Sequence, residues 1–413
     1  MKTLIVAIPF FDSQMAVGYY RLCSRSGQNL LGMLNEYVSP TEAVLSPGLD
    51  LVKTLGAEPL SGKCPLFVDI NEYHLLMRIP LSLGITPDKL ICVLPGNIRP
   101  DDAVISRCRE LKDLGYAIAT DGLLYGHTDN PLFELTDYVI IDTNDYKEDD
   151  TLVKDSKNLA KIKKVVLSNI PNMERFNKLS GISNALFSGE FYNQPITKGA
   201  SEISPVKINA LTLLKQINEE DFDLTDIAGT VGRDPSLSIS LLRFINSVMP
   251  RKIDSIRNAV AILGQKEVKR WATAALSIQL AEDRPSEITK LSLIRARFAE
   301  NLANSFELGI FSPSLFMMGL FSLLDVILDK PMEAAVKEVA LDERVREALV
   351  DKTGDFYKVL DFIFSYEHGA WETVAIKIVQ YNLDLEEITT AFIEALVWYK
   401  TLLDAIGDEE ENE

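Results

Sequence analysis

Histidine is nearly missing from this chain. Three imidazoles, His74, His127 and His368, serve 413 residues, and none is followed by aspartate. Spread over both halves, they are too few to build a histidine-rich zinc or iron centre within one domain, and each reads as a surface or helix-face residue. Cysteine is almost as scarce. Cys23, Cys64, Cys92 and Cys108 all lie in the first half without CxxC spacing, a pattern of reduced, partly buried thiols rather than of disulfides or zinc ligands. No stretch approaches eighteen consecutive apolar residues, so no membrane-spanning helix and no membrane insertion are expected. The N-terminus has one basic residue and a short apolar run, Leu4 to Ile8, which reads as a first strand and not as a secretory signal. These absences together point to a cytoplasmic protein.

Positive charge is also in short supply. Against 60 Asp and Glu stand 42 Lys and Arg, a net charge of −18. Residues 1–200 hold 20 basic and 24 acidic side chains, which leaves 22 and 36 for the remainder, so the second half carries −14 of the total. A surface of that sign repels phosphate backbones and anionic lipid, and nucleic acid is not an expected partner. The acidic run Asp408 to Glu413 reads as a solvated, disordered tail.

What is present is hydrophobic periodicity of two kinds. From Thr3 to about Ser188, β-rich runs alternate with amphipathic segments, the pattern of a parallel sheet or barrel with crossover helices. The predicted strands are Leu4–Phe10, Ala16–Cys23, Leu66–Ile70, Leu90–Leu94, Tyr116–Ala119, Tyr138–Ile141, Lys164–Leu167 and Asn184–Phe187, with helices at Thr41–Leu55 and Pro100–Leu114. Eight strands in roughly 190 residues is tight for a TIM-like barrel, which typically takes about 250, so some helices must be short or missing. Around Gly199 the strand pattern stops at a Pro, Gly and Ser-rich linker, and helical spacing takes over. The expected fold is an α/β TIM-like barrel over 1–197, an all-α domain over 198–406 and an acidic tail over 407–413.

Chemistry has few places to sit. Gly56 to Cys64 resembles a phosphate-binding loop at first sight, but it has one residue too many between its glycines and Cys64 where a Ser or Thr would hold magnesium. A turn between helix and strand accounts for it better. Asp69, Asp121 and Asp142 each end a predicted strand, where a barrel enzyme collects carboxylates for a divalent cation and where Asp also caps the next helix. Both readings stand on sequence alone.

Two stretches carry family resemblances. Asp234-Pro235-Ser236-Leu237, continuing through Leu241 and Leu242 to Asn246-Ser247, and Ile256 to Gly264 after it, resemble the signature of the HDOD family. That family is an all-helical relative of HD phosphohydrolases that usually lacks their metal ligands. Asp234 is expected to cap a helix that Pro235 opens, and Leu237 and Leu241 to face a core. The likeness continues through Arg270-Trp271-Ala272, Gly319 to Asp325 and Glu394 to Trp398, and the His-Asp pair of catalytic relatives would fall on Ser322-Leu323.

In the first half, Ile8 to Asp12 and Val17 to Leu22 resemble the opening of the EAL domains that are fused to HDOD domains in bacterial signalling proteins. Leu114 to Asp121, Tyr138 to Asp142 and Leu186 to Phe191 resemble later EAL blocks. The resemblance implies a barrel related to cyclic di-GMP phosphodiesterases in which the chemistry has lapsed. The family's metal-binding Glu would fall on Tyr20, its strand-end Asn on Asp69, its next Glu near Cys92, its paired acids on Asp121-Gly122, the lysine of its next block on Ile140 and its later Glu near Ser168. Arg25, Asp69, Asp121 and Asp142 remain as candidate ligand contacts, with no metal and no cofactor implied. The expectation is a non-enzymatic adaptor with a signalling-protein partner; the alternative is a cyclic di-GMP sensor or residual phosphodiesterase.

Overall fold

The computed structural model describes residues 3–26, 52, 56–82, 84–122, 130–194, 205–218, 228–229, 231–232, 235–249, 251–339 and 341–406. It divides into two units: Met1–Gln194 with Phe364–Thr389, and Pro195–Ile363 with Thr390–Glu413. The division is not the contiguous one expected at 197/198, because a late helical segment groups with the first unit.

The first unit is a closed eight-stranded barrel. Its strands are β1 (Thr3–Phe11), β2 (Val17–Ser26), β3 (Leu66–Asp69), β4 (Leu90–Pro95), β5 (Ala117–Asp121), β6 (Tyr138–Asp142), β7 (Lys164–Ile170) and β8 (Ala185–Gly189). Every predicted strand is present. From β2 to β8 neighbours run parallel, but β1 is antiparallel to both β2 and β8. Five residues, Asp12 to Ala16, join β1 to β2, too few for a crossover, so the chain turns back as a hairpin. Asp12 closes that turn by accepting from the Gln14 and Ala16 amides. The missing first helix explains how eight strands fit the short length.

Alternation along the strands sorts the barrel's residues. Phe10, Phe67, Ile91, Val93, Ala119, Ile140, Val166 and Leu186 fill the interior. Phe11, Val139, Ile141, Val165, Leu167 and Phe187 pack outward against helices α2 (Asp149–Leu159) and α3 (Met173–Leu179). Helix α1 (Asp102–Asp113) starts where Asp101 accepts from the Val104 amide. At the N-terminal end of the barrel Tyr19, Phe67 and Tyr138 meet edge to face, and the Lys164 ammonium donates to the Tyr19 hydroxyl at 3.2 Å while lying over both tyrosine rings. That end is a plug of rings. The segment Gly56 to Cys64 holds a single helical turn, Glu58–Ser61, leading to β3. Apart from Val52, the helix expected at Thr41–Leu55 lies outside the described residues, as does His127.

The seam between β1 and β8 is short. The two strands pair at Phe11 and Phe187, and the start of β1 meets helical residues instead. The Ile5 amide donates to the hydroxyl of Tyr366, which is fully buried, and the Thr389 hydroxyl reaches the Thr3 carbonyl at 3.3 Å. His368 lies 3.4 Å from the Glu190 carboxylate just after β8.

Residues of the second unit are helical: α4 (Pro205–Asn218), α5 (Pro235–Val248), α6 (Ile256–Leu280), α7 (Ser286–Asn301), α8 (Ser312–Leu320) and α9 (Leu324–Leu328). Helix α10 (Gly354–Glu367) then runs into the segment that joins the barrel, α11 (Trp371–Gln380) lies within it, and α12 (Leu385–Ile406) ends in the second unit. Helix α6 is broken only at Gly264, whose φ of 76° is left-handed. Among the described residues one stretch, Gly309–Leu328, reaches membrane-helix values by length and mean hydropathy (1.8). It is 61% buried inside the fold and divided at Phe321–Leu323 by a 3-10 turn, which marks a core segment of the helical unit.

Candidate functional site

The C-terminal mouth of the barrel is organised by Arg21. Its position on β2, two residues after the inward-facing Tyr19, turns its side chain into the barrel. From there one guanidinium nitrogen donates to Asp69 at 2.8 Å and to Asp121 at 2.5 Å. Arg21 is largely buried, while Asp69 keeps 52% and Asp121 38% of its side-chain surface open to solvent. Burial works against the Arg21 charge, but the two carboxylates overcome it and push its pKa up, so the cation is permanent. Cys23, next inward on the same strand, is pushed up to about 12, first by burial and then by Asp69. It is a neutral thiol at ordinary pH, neither a nucleophile nor a ready metal ligand.

The other sequence candidates stand apart from this trio. Asp142 accepts from the Asn144 amide at 2.9 Å and from the Asn169 side chain at 2.7 Å, and so caps the turn after β6. Arg25 pairs with Leu4 near the end of β2; the bonds to Asp69 and Asp121 are made by Arg21. The register also sorts the remaining positions by face. Tyr20 faces outward on β2, so the inward place belongs to Arg21, and Cys92 faces outward toward Cys108 on α1 while Val93 points inward. The Ser168 hydroxyl is spent on the Ile141 carbonyl at 3.1 Å.

Sequence reasoning missed Arg21. Its signal was available: an arginine at an inward strand position, beside strands that end in aspartate on β3 and β5.

A divalent metal pair does not fit these residues. Two acids are bonded to a resident cation and the third is turned to a cap; a pair of divalent ions needs a ring of carboxylates and water. Among the described residues no three His, Cys, Asp or Glu side chains come together as a metal-holding group.

In the helical unit the motif residues pack and pin. Asp234 lies outside the described residues, and Pro235 is the first residue of α5. Leu237 and Leu241 are buried. Asn246 holds the loop beyond α5, its amide nitrogen donating to the Leu242 and Ile253 carbonyls while its oxygen accepts from the Ile253 amide. The Ser247 hydroxyl donates to the Phe244 carbonyl. Ser322 accepts from the fully buried Arg295 at 3.0 Å and donates to the Gly319 carbonyl at 2.7 Å. Burial pushes nearby Asp325 up, with Arg295 pulling it back.

The chain thus carries a closed eight-stranded barrel and a helical unit. Residues 204–350 match the HDOD domain. Over nearly its whole length the chain is similar to two proteins. One is YuxH of Bacillus subtilis, 28% identical over 98% of this chain and 100% of that protein. The other is the cyclic di-GMP phosphodiesterase CdgJ of Vibrio cholerae, 24% identical over 96% and 92%. Among solved structures, an EAL domain protein from Listeria monocytogenes aligns over 46% of this chain and 87% of its own at 16% identity and a TM-score of 0.35. A standalone EAL protein from Vibrio cholerae, bound to cyclic di-GMP, aligns over 46% and 91% at 14% identity and 0.36.

Proposed function

We propose that this chain is a cytoplasmic signal-transduction protein in cyclic di-GMP signalling that acts by binding and not by hydrolysis, its HDOD domain presenting a face to a protein partner. The observation that carries the reading is the Arg21 guanidinium bonded to both Asp69 and Asp121. One protein cation there compensates the two acids that a metal-dependent phosphodiesterase would commit to a divalent ion. The helical domain supports the same reading: its motif residues serve packing, and where its catalytic relatives carry His-Asp it carries Ser322 and Leu323 beside a buried arginine.

A second reading, that the barrel still senses or cleaves cyclic di-GMP, is favoured by the whole-length similarity to a cyclic di-GMP phosphodiesterase. One experiment separates the two. The full-length protein is titrated with cyclic di-GMP by calorimetry, with magnesium and then manganese, and the mixture is analysed for linear dinucleotide. No product with either metal is expected. Metal-dependent product that disappears in Asp69→Asn refutes the non-enzymatic reading, and heat without product makes the barrel a sensor.

A further inference from the structure

A cavity of about 220 Å3 opens inside the helical unit, lined by none of the barrel's acids and by neither Ser322 nor Leu323. One wall comes from α6 after its break at Gly264. Lys266, Lys269 and Arg270 recur there at three- and four-residue spacing, so they share a helix face. The opposite wall is apolar, built from Phe316 and Met317 of α8 and from Val345.

This basic wall runs against the charge of its surroundings, since residues 201–413 carry −14. Within it Arg270 is bonded to Glu267 and Glu300, while Lys266 and Lys269 line the cavity beside it. The carboxylate that also lines it, Asp342, is engaged with the Arg344 and Val345 amides at 2.9 and 3.1 Å as the cap of helix Glu343–Arg346. Burial pulls the Lys269 pKa down, the desolvation that a bound anion offsets.

We propose that this cavity binds a small organic anion, a phosphate or carboxylate that meets Lys266 and Lys269 and carries an apolar arm against Phe316, Met317 and Val345. The lining sets the class: two ammonium groups beside an apolar wall suit a charged group that carries a ring or short chain. Every lining residue belongs to the helical unit, so the site is separate from the Arg21 mouth of the barrel, and it gives the HDOD domain an input of its own.

The test uses the full-length protein and four probes: phenyl phosphate, phenylacetate, benzyl alcohol and inorganic phosphate, followed by ligand-observed NMR and calorimetry. Phenyl phosphate or phenylacetate should bind more tightly than benzyl alcohol, and more tightly than phosphate alone. Their ranking assigns the charged group as phosphate or carboxylate. The double variant Lys266→Met/Lys269→Met should weaken binding at least about tenfold, while Arg21→Met in the barrel leaves it unchanged. Should the double variant lose its fold, Met317→Glu, which sets a negative charge on the apolar wall, is expected to abolish binding instead. The proposal is overturned if neither aryl anion binds, if benzyl alcohol binds as tightly as they do, or if folded variants bind like the wild type.

Discussion

Arg21 decides what the barrel mouth can do, and its effect is measurable. Asp69 and Asp121 reach one guanidinium at 2.8 and 2.5 Å, so removing it leaves two carboxylates facing each other without a cation. Because both acids are substantially exposed, solvent absorbs much of that cost, and Arg21→Met should destabilise the barrel by only about 1 kcal/mol. The informative readout is the metal response. Millimolar manganese should raise the melting temperature of Arg21→Met and leave the wild type unmoved; equal shifts in the two proteins refute the view that Arg21 occupies the electrostatic place of a metal. Sequence displayed the three residues but not their meeting. Tyr20 and Arg21 are neighbours, and choosing which faces inward needs the pairing of Tyr20 with Leu66 and the packing of Tyr19 on Phe67. Arg25 drew attention in its place for want of that register.

At the scale of elements, periodicity was legible and direction was not. All eight strands can be read as short apolar runs bounded by turns, because inward and outward faces are both apolar. That β1 runs antiparallel depends on a five-residue connection, which spacing shows only once both strand ends are fixed. Helix packing is similar: Gly319 looks like any residue of an apolar helix until α7 is placed beside it. A Cβ at Gly319 would sit 2.4 Å from the Arg295 carbonyl and 2.6 Å from the Ala296 amide, backbone that cannot step aside. Gly319→Ala should therefore push α8 from α7 and cost about 1–3 kcal/mol, with the hydrogen bond from Arg295 to Ser322 the first to break. Gly264→Ala has open space around it and is strained only through its φ of 76°, a cost of about 1 kcal/mol. Urea denaturation of the two variants checks the order. A Gly264→Ala variant that proves the less stable would contradict the close α7–α8 approach.

For the molecule as a whole, the least legible feature is that the barrel unit is completed by residues 364–389. Nothing in local spacing announces it, since the two hydrogen bonds that carry it, Ile5 to Tyr366 and Thr3 to Thr389, span 361 and 386 positions. The physical reason lies at the β1 edge. With β8 paired only at Phe11, the Thr3 carbonyl and Ile5 amide point where a strand would be, and an open edge of that kind invites another chain. Tyr366 and Thr389 satisfy those groups instead, and Tyr366 does so fully buried, its phenol pushed up by that burial and so a neutral hydroxyl. Tyr366→Phe leaves the Ile5 amide without its acceptor and should cost about 1–3 kcal/mol, with faster hydrogen exchange at Ile5 than at Phe67 in the barrel interior. A fragment ending at residue 197 removes the whole cover. It should associate through β1 and give a concentration-dependent sedimentation profile, whereas the same fragment refolded with a peptide of residues 364–389 should stay monomeric. A fragment 1–197 that is monomeric and melts as cooperatively as the full chain would show that the barrel closes without its C-terminal segment.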